Sequence, residues 1–440
     1  TGPKGSTIPG VLPQFLRNPL DLIERSAAEY GDIVTLRFFH RRAYFLNHPD
    51  YIRHVLVDNN QNYVKGRGSE LTRPVIGEGL LTSEGEFHQR QRRLMQPAFH
   101  RRQIAALAET MTAFAERHIA PWREGETRDL HAEMMGLTMS IVTQSLFGVD
   151  VASENSALAE TLDELMKEFS FADATPLGQL LLRLPTARVR RRAALLGRLD
   201  KAIYGFIRAG RERPEACDDL LSLLLTAQDS EGDGLGMSDR QVRDEVMTLF
   251  IAGHETTANA ITWTFYLLAQ HPDLESRLQV ELSEVLGGRS PSIEDVPSLK
   301  YTRMVLSEAM RLYPPAWIMS RLALAEDEIG GYRIPAQSPI LISQWAMHRH
   351  PAYWDEPLHF NPERFNPDDP AVKQRPRYTY FPFGGGPRLC IGEPFAWMEG
   401  ILLIAALAQR FCFRLAPSAR VEPQPLVTLR PKYGLPITLH

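Results

Sequence analysis

Phe383-Gly384-Gly385-Gly386-Pro387-Arg388-Leu389-Cys390-Ile391-Gly392 decides how the rest of the chain is read. Its glycines let the backbone turn tightly and approach a flat ligand closely. Arg388 precedes Cys390 by two positions, and a helix is predicted near Pro394 with its first amides directed back at the cysteine. A helix N-terminus and a nearby guanidinium both favour thiolate over thiol. A single loop thiolate suits haem iron, to which it gives electron density that promotes O–O cleavage. The plainer alternative is a small apolar cysteine in a flexible loop. Cys412, inside Phe411-Cys412-Phe413, reads that way.

The run satisfies Phe-x-x-Gly-x-Arg-x-Cys-x-Gly at every specified position, and so resembles the cysteine loop of the cytochrome P-450 superfamily. At about 5% per fixed residue, chance produces such a match roughly once in 10⁶–10⁷ positions. The resemblance implies haem b (iron protoporphyrin IX) with Cys390 as its axial ligand and Phe383 and Arg388 among its contacts. It also implies a mainly α fold with a small β-rich lobe.

Three further segments match the family in its order. Ala252-Gly253-His254-Glu255-Thr256-Thr257 lies midway along a long apolar helix, where a carboxyl and a hydroxyl are costly unless solvated or used. On its own the segment allows a bland account, with Thr256 bonded one turn back and Glu255 paired to a cation. It resembles the family's acid–alcohol motif, in which Thr256 hydrogen-bonds the distal oxygen of O₂, Glu255 relays protons, and Gly253 leaves room and lets the helix kink. Glu308 and Arg311 stand at i, i+3 on one helix face. With Arg364, they resemble the family's Glu-x-x-Arg element and its third partner, a buried network that holds the cysteine loop. His88 and Arg92, at i, i+4, together with Arg321 and Arg388, match propionate-binding positions, although a solvated basic face would explain the first two. Four donors for two carboxylates is a sensible count.

Composition agrees with an ordinary soluble globular protein. The 440 residues are 44% hydrophobic and 23% charged, with net charge -4 and pI about 6.4, so no strong field recruits nucleic acid. Three cysteines without a C-x-x-C pair exclude a disulfide scaffold and a structural zinc site, and suit a reducing cytoplasm. The segment from Thr1 has no apolar run long enough for a signal peptide or membrane span, which favours a cytoplasmic protein away from membranes.

Along the chain, Ile33–Leu36 and Ala43–Leu46 read as a hairpin around His40-Arg41-Arg42. Helical spacing dominates from about 84 to 285, with one long buried helix from Asp239 to Ala269. Strand-like pieces follow near Ile329–Ile334 and Pro339–Ser343, and Val427–Leu439 reads as a closing hairpin. If the motifs near residues 88, 255, 308 and 390 serve one site, residues 1–440 form a single domain.

The implied reaction is RH + O₂ + 2e⁻ + 2H⁺ to ROH + H₂O, a hydroxylation or epoxidation by a monomeric enzyme. Electrons would come from a separate ferredoxin or flavodoxin and its NAD(P)H-dependent reductase. A peroxide-driven enzyme or a haem-thiolate sensor would have less use for Glu255 and Thr256. Family positions facing the haem are filled by Thr248, Ile251, Ala252, Ala316, Ile318, Met319 and Val427, which suit an apolar small molecule. The basic run Arg183, Arg188, Arg190, Arg191 and Arg192 falls at a family lid, and reads as a solvated charge run or a guide for an anion or a membrane surface. The donor is expected to dock through basic residues chosen from Lys373, Arg375, Arg377, His350, Arg90 and Arg93.

Overall fold

The computed structural model describes residues 1–66, 68–148, 176–212, 219–229 and 234–440, with a few isolated positions between them. Cys217 lies outside the described residues. The chain divides into two compact units, each drawn from three separated stretches. Unit 1 comprises 1–68, 304–390 and 423–430; unit 2 comprises 69–303, 391–422 and 431–440.

Eight helices carry the argument: α1 Pro19–Tyr30, α2 Gly85–Met95, α3 Ala108–Ile119, α4 Leu130–Phe147, α5 Ala187–Glu212, α6 Asp239–Leu268, α7 Lys300–Leu312 and α8 Glu393–Ala408. The strands are β1 Ile33–Phe38, β2 Arg41–Leu46, β3 Tyr63–Lys65, β4 Thr127–Asp129, β5 Met319–Ala323, β6 Asp327–Ile329, β7 Tyr332–Ile334, β8 Pro339–Ile342, β9 Phe413–Leu415, β10 Pro423–Pro425, β11 Leu429–Pro431 and β12 Pro436–Leu439.

Unit 1 is built on a five-stranded sheet in the order β1-β2-β8-β5-β3. The predicted hairpin is its edge, with Ile33 opposite Leu46 and Phe39 turning at φ 54. Strand alternation divides the apolar residues between two faces. Val34, Leu36, Ala43 and Phe45 join one cluster with Leu22 and Ile23 of α1; Ile33, Leu46, Ile340 and Ile342 join another. The pieces near Ile329 and Pro339 are the β6–β7 hairpin and β8.

Unit 2 is helical. Its axis is α6, a 30-residue helix opened by a capping box between Ser238 and Gln241. α4, α5 and α8 pack on α6, so it is buried on nearly every side from Val242 onwards. Such all-round apolar character cannot persist on a surface helix.

The expected Val427–Leu439 hairpin is not formed. β11 pairs with β10, whereas β12 lies between β4 and β9 in a separate three-stranded sheet. Alternation identifies a strand but not its partner, and here β12 is joined to a segment some 300 residues earlier.

Candidate active site

In unit 1 the cysteine loop is held from behind and open in front. The amide of Gly384 donates to the Phe381 carbonyl at 2.9 Å, and that of Cys390 to the Phe383 carbonyl at 3.1 Å. Gly384 and Gly386 have φ of 77° and 67°, which disfavours any side chain. A Cβ on Gly386 would overlap the Leu56 carbonyl, and one on Gly385 would strike the Tyr378 ring. Cys390 itself is exposed. Cys412 is half-buried, takes a hydrogen bond from the Gln279 amide at 3.0 Å, and has its own backbone paired with His440.

The Glu308–Arg311–Arg364 group meets within unit 1. Arg311 Nε and Nη2 donate to Glu308 at 2.7 and 2.8 Å. Its remaining donors reach the carbonyls of His348, Pro357 and His359 at 2.7–3.2 Å. The guanidinium also lies over Trp354, 4.9 Å from the ring centroid. Glu308 accepts from the Asn361 amide at 3.0 Å, and Arg364 Nε lies 3.4 Å from it. Arg321 is buried on β5 and Arg388 is half-buried in the loop.

The apolar positions of unit 1 divide. Ala316 and Val427 are both exposed, on segments joined by hydrogen bonds from Leu429 N to Pro315 O and from Trp317 Nε1 to Leu426 O. Ile318 packs against the cluster containing Val34 and Phe45. Met319 packs against the opposite cluster, and its terminal methyl comes within 3.5 Å of where a Gly384 Cβ would stand.

In unit 2, Ala252 is exposed halfway along the otherwise buried α6, with Ile251, Gly253 and Thr256 partly exposed beside it. This face can meet a small or flat molecule. The Thr256 hydroxyl donates to the Ala252 carbonyl at 2.7 Å, which leaves its lone pairs to accept. Glu255 is buried. Gly253 turns its missing side chain towards α4, where a Cβ would meet Val142 at 3.1 Å; here the glycine serves helix packing, and α6 continues helical through it. Thr248 is buried, donates to the Asp244 carbonyl at 2.8 Å, and is covered by Gly79. His88 is buried on α2 and Arg92, one turn on, is partly exposed.

Two features were not legible in the sequence. Asp244 and Glu245 hold the Gly77–Ser83 segment through its backbone, accepting from Glu78 N at 2.9 Å and Leu80 N at 2.8 Å. Glu245 also accepts from Gln91 of α2 at 2.9 Å, and burial pushes its carboxyl up to about 7. The Glu399 carboxyl on α8 faces the Thr257 hydroxyl and is pushed up to about 8, again by burial. Acids inside apolar helices are the available signal for both.

The basic residues expected to face a donor are not equivalent. Arg93 makes a bidentate contact with buried Asp229 at 3.1 and 2.9 Å, and Arg90 lies 3.6 Å from the same carboxylate. Arg375 stacks on Trp354 and donates to the Arg364 carbonyl. His350 is half-buried and accepts the Ala352 amide. Lys373 and Arg377 are exposed. In the basic run, Arg188, Arg191 and Arg192 pair with Glu164, Glu168 and Asp173, which removes much of the field that an anion would sense. No described helix is long and apolar enough to cross a membrane.

Within unit 1 the donor set fits a haem: an exposed thiol in a glycine cradle, with buried and half-buried arginines for propionates. Comparisons with known proteins agree. The family model described as Cytochrome P450 matches residues 1–436. Cyclooctatin synthase from Streptomyces melanosporofaciens is 39% identical over 97% of this chain and 92% of its own. Cyclooctat-9-en-7-ol 5-monooxygenase from the same organism is 38% identical over 93% and 90%. Pentalenene oxygenase from Streptomyces avermitilis is 34% identical over 96% and 94%. The fold superposes on retinoic acid-bound cyanobacterial CYP120A1 with a TM-score of 0.89, at 24% identity over 100% of this chain and 98% of that one. The chain therefore belongs to the cytochrome P450 family: it is a mainly α oxidoreductase that carries haem b on a cysteine thiolate and acts as a monooxygenase.

Proposed function

We propose that Cys390 is the haem ligand and that the enzyme inserts one oxygen atom of O₂ into a polycyclic terpene. The exposure of Cys390 in its glycine cradle carries the first half, since Cys412 is partly buried. Relatives named for terpene oxidation, together with apolar Ala252, Ile251, Ala316 and Val427, support the second.

When bound, haem supplies the oxygen-activating chemistry; the chain supplies binding, orientation and protons. Cys390 would hold the haem and supply electron density through its sulfur. Arg321, Arg388, His88 and Arg92 would be the donors for its propionates, and Phe383 would contribute apolar surface to its site. Thr256, its proton engaged with Ala252 O, accepts a hydrogen bond and passes a proton on through its hydroxyl. Glu255 connects that hydroxyl to the proton supply. Ala252, Ile251, Ala316, Met319 and Val427 would offer the substrate apolar surface and exclude water from it. Ile318 contributes from behind, through the sheet.

P450 enzymes generally draw electrons from redox partners such as a ferredoxin and its reductase. For this chain we assign an acidic ferredoxin, or a flavodoxin, docking at Lys373 and Arg377, with the enzyme a cytoplasmic monomer. The continuous family match over residues 1–436 supports one catalytic domain.

The test is titration of the purified holoenzyme with polycyclic terpenes of two or more ring systems. A high-spin haem spectral shift, followed by an oxygenated product that requires NADPH, ferredoxin and reductase, is the expected outcome. Shifts only with fatty acids or macrolides would overturn the substrate class, and turnover driven by peroxide alone would overturn the electron route.

A further inference from the structure

We infer that His348 is a positioning residue for the haem ligand: its neutral ring ties the root of the cysteine loop to the Glu308–Arg311 network. The inference rests on the assignment of Cys390 as ligand.

The path can be followed bond by bond, inside unit 1. Arg311, fixed by Glu308, donates from Nη1 to the main-chain carbonyl of His348 at 2.8 Å. The His348 ring, fully buried, accepts the Phe381 amide on Nε2 at 3.0 Å. Phe381 in turn accepts the Gly384 amide at 2.9 Å, and Phe383, within that turn, accepts the Cys390 amide at 3.1 Å. Beside this route, the Tyr380 hydroxyl donates to the Ser307 carbonyl of α7 at 3.0 Å, and the Tyr380 ring lies 5.1 Å from that of His348. Tyr380 and Phe381, immediately before the loop, are thus tied to the helix that carries Glu308 and Arg311.

The imidazole is suited to this task only in one form. An Nε2 that accepts an amide carries no proton, so the proton resides on Nδ1, which is buried beside the Met310 and Arg311 backbone without a hydrogen bond among the described residues. Burial and the adjacent Arg311 and Arg349 guanidiniums hold the ring well below its usual range, so it stays neutral. Phe381 is itself buried. Its amide, if deprived of the imidazole, would be an orphan donor inside the core, and such donors are satisfied in nearly all native structures. The cheapest relief is for the loop root to shift, and Cys390 sits only two hydrogen-bonded turns away.

A residue that merely fills space would tolerate an isosteric apolar replacement, whereas this one must keep an acceptor at the Nε2 position. His348→Gln places an amide oxygen at similar reach; His348→Leu preserves bulk and removes the acceptor. In the dithionite-reduced CO complex of each holoprotein, the leucine variant should show roughly tenfold or more of the form that lacks the thiolate band, and the glutamine variant should restore most of the wild-type spectrum. In parallel, exchange of the Phe381 amide, read by deuterium uptake over residues 378–384, should accelerate in the leucine variant and not in the glutamine one. A leucine variant with wild-type band and exchange, or a glutamine variant no better than leucine, overturns the inference. If His348→Leu does not fold, ¹⁵N-histidine spectra of the reduced CO-bound wild type decide: an unprotonated Nε2, identified by its loss in His348→Gln, supports the tie, and a protonated Nε2 overturns it. Failure of the ligand assignment is read separately, as retention of the thiolate band when Cys390 is replaced.

Discussion

The Arg311 guanidinium and the Glu308 carboxylate meet at 2.7 and 2.8 Å with neither side chain exposed to water at all. Every donor of the guanidinium that is not on Glu308 is spent on a backbone carbonyl of the segment 348–359. A fully buried charge pair contributes little net energy by itself, but removing one partner leaves the other uncompensated, at about 3–5 kcal/mol.

Glu308→Ala and Arg311→Ala should therefore give haem-poor or misfolded protein instead of a slow enzyme. Arg311→Lys should fare hardly better, because one ammonium cannot replace a planar fork that reaches five acceptor atoms. Haem content per polypeptide and urea unfolding check this. Well-folded variants with full haem and only altered turnover would contradict a structural clamp.

Thr256→Ala should still consume NADPH but divert it to peroxide. Its loss removes the hydroxyl bonded to Ala252 O and the acceptor on the exposed face of α6. One positioned proton-transfer group is worth roughly 10²–10⁴-fold in the step it serves. The ratio of product to NADPH consumed is the measurement, and an unchanged ratio would refute the role.

Glu245 gives a pH dependence with a definite sign. Burial raises its carboxyl from the ordinary 4.5 to about 7, so the folded protein binds a proton that the unfolded chain has already lost in that window. Its contribution is complete below about pH 4.5 and declines as pH rises towards 7, by about 1–3 kcal/mol. Glu245→Gln, which keeps an oxygen to accept from Leu80 and can offer its amide to Gln91 Oε1, should remove that decline. Urea unfolding of the two proteins at pH 6 and pH 8 tests it; equal pH slopes would exclude Glu245 as the source.

For the electron donor, charge reversal at Arg377 or Lys373 should slow reduction by an acidic ferredoxin, and more so at low salt, where the Debye length is about 30 Å. Arg93 should behave differently, since its charge is already engaged by Asp229. Reversal there should cost stability more than reduction rate. Stopped-flow reduction at about 0.01 M and 0.15 M salt separates these cases, and a rate indifferent to both changes would relocate the docking face.

How much of this could be read in advance depends on whether the residue's identity or its partner matters. The cysteine loop was legible because glycine, arginine and cysteine are each needed for a distinct physical reason at a fixed spacing. Glu308 and Arg311 were legible because helix geometry pairs i with i+3. His348, Asp244 and Glu245 were not, since they bind main-chain amides, which any residue presents. Asp229 and Arg93 are 136 residues apart, and no local pattern joins them. The β12 strand misled for the same reason: its alternation was visible, whereas its neighbours β4 and β9 come from other parts of the chain. Gly253 was read as room for a ligand, and its packing against Val142 of α4 depends on a helix contact that no spacing reveals.

The claim on which everything else stands is that Cys390, and no other cysteine, binds the iron. Ferrous-CO spectra of Cys390→His and Cys412→Ser holoproteins, recorded beside the wild type, test it most directly. The wild type and Cys412→Ser should both show the strongly red-shifted Soret band of a thiolate-bound haem, and Cys390→His should retain haem without that band. Persistence of the band in Cys390→His, or its loss in Cys412→Ser, would contradict the assignment.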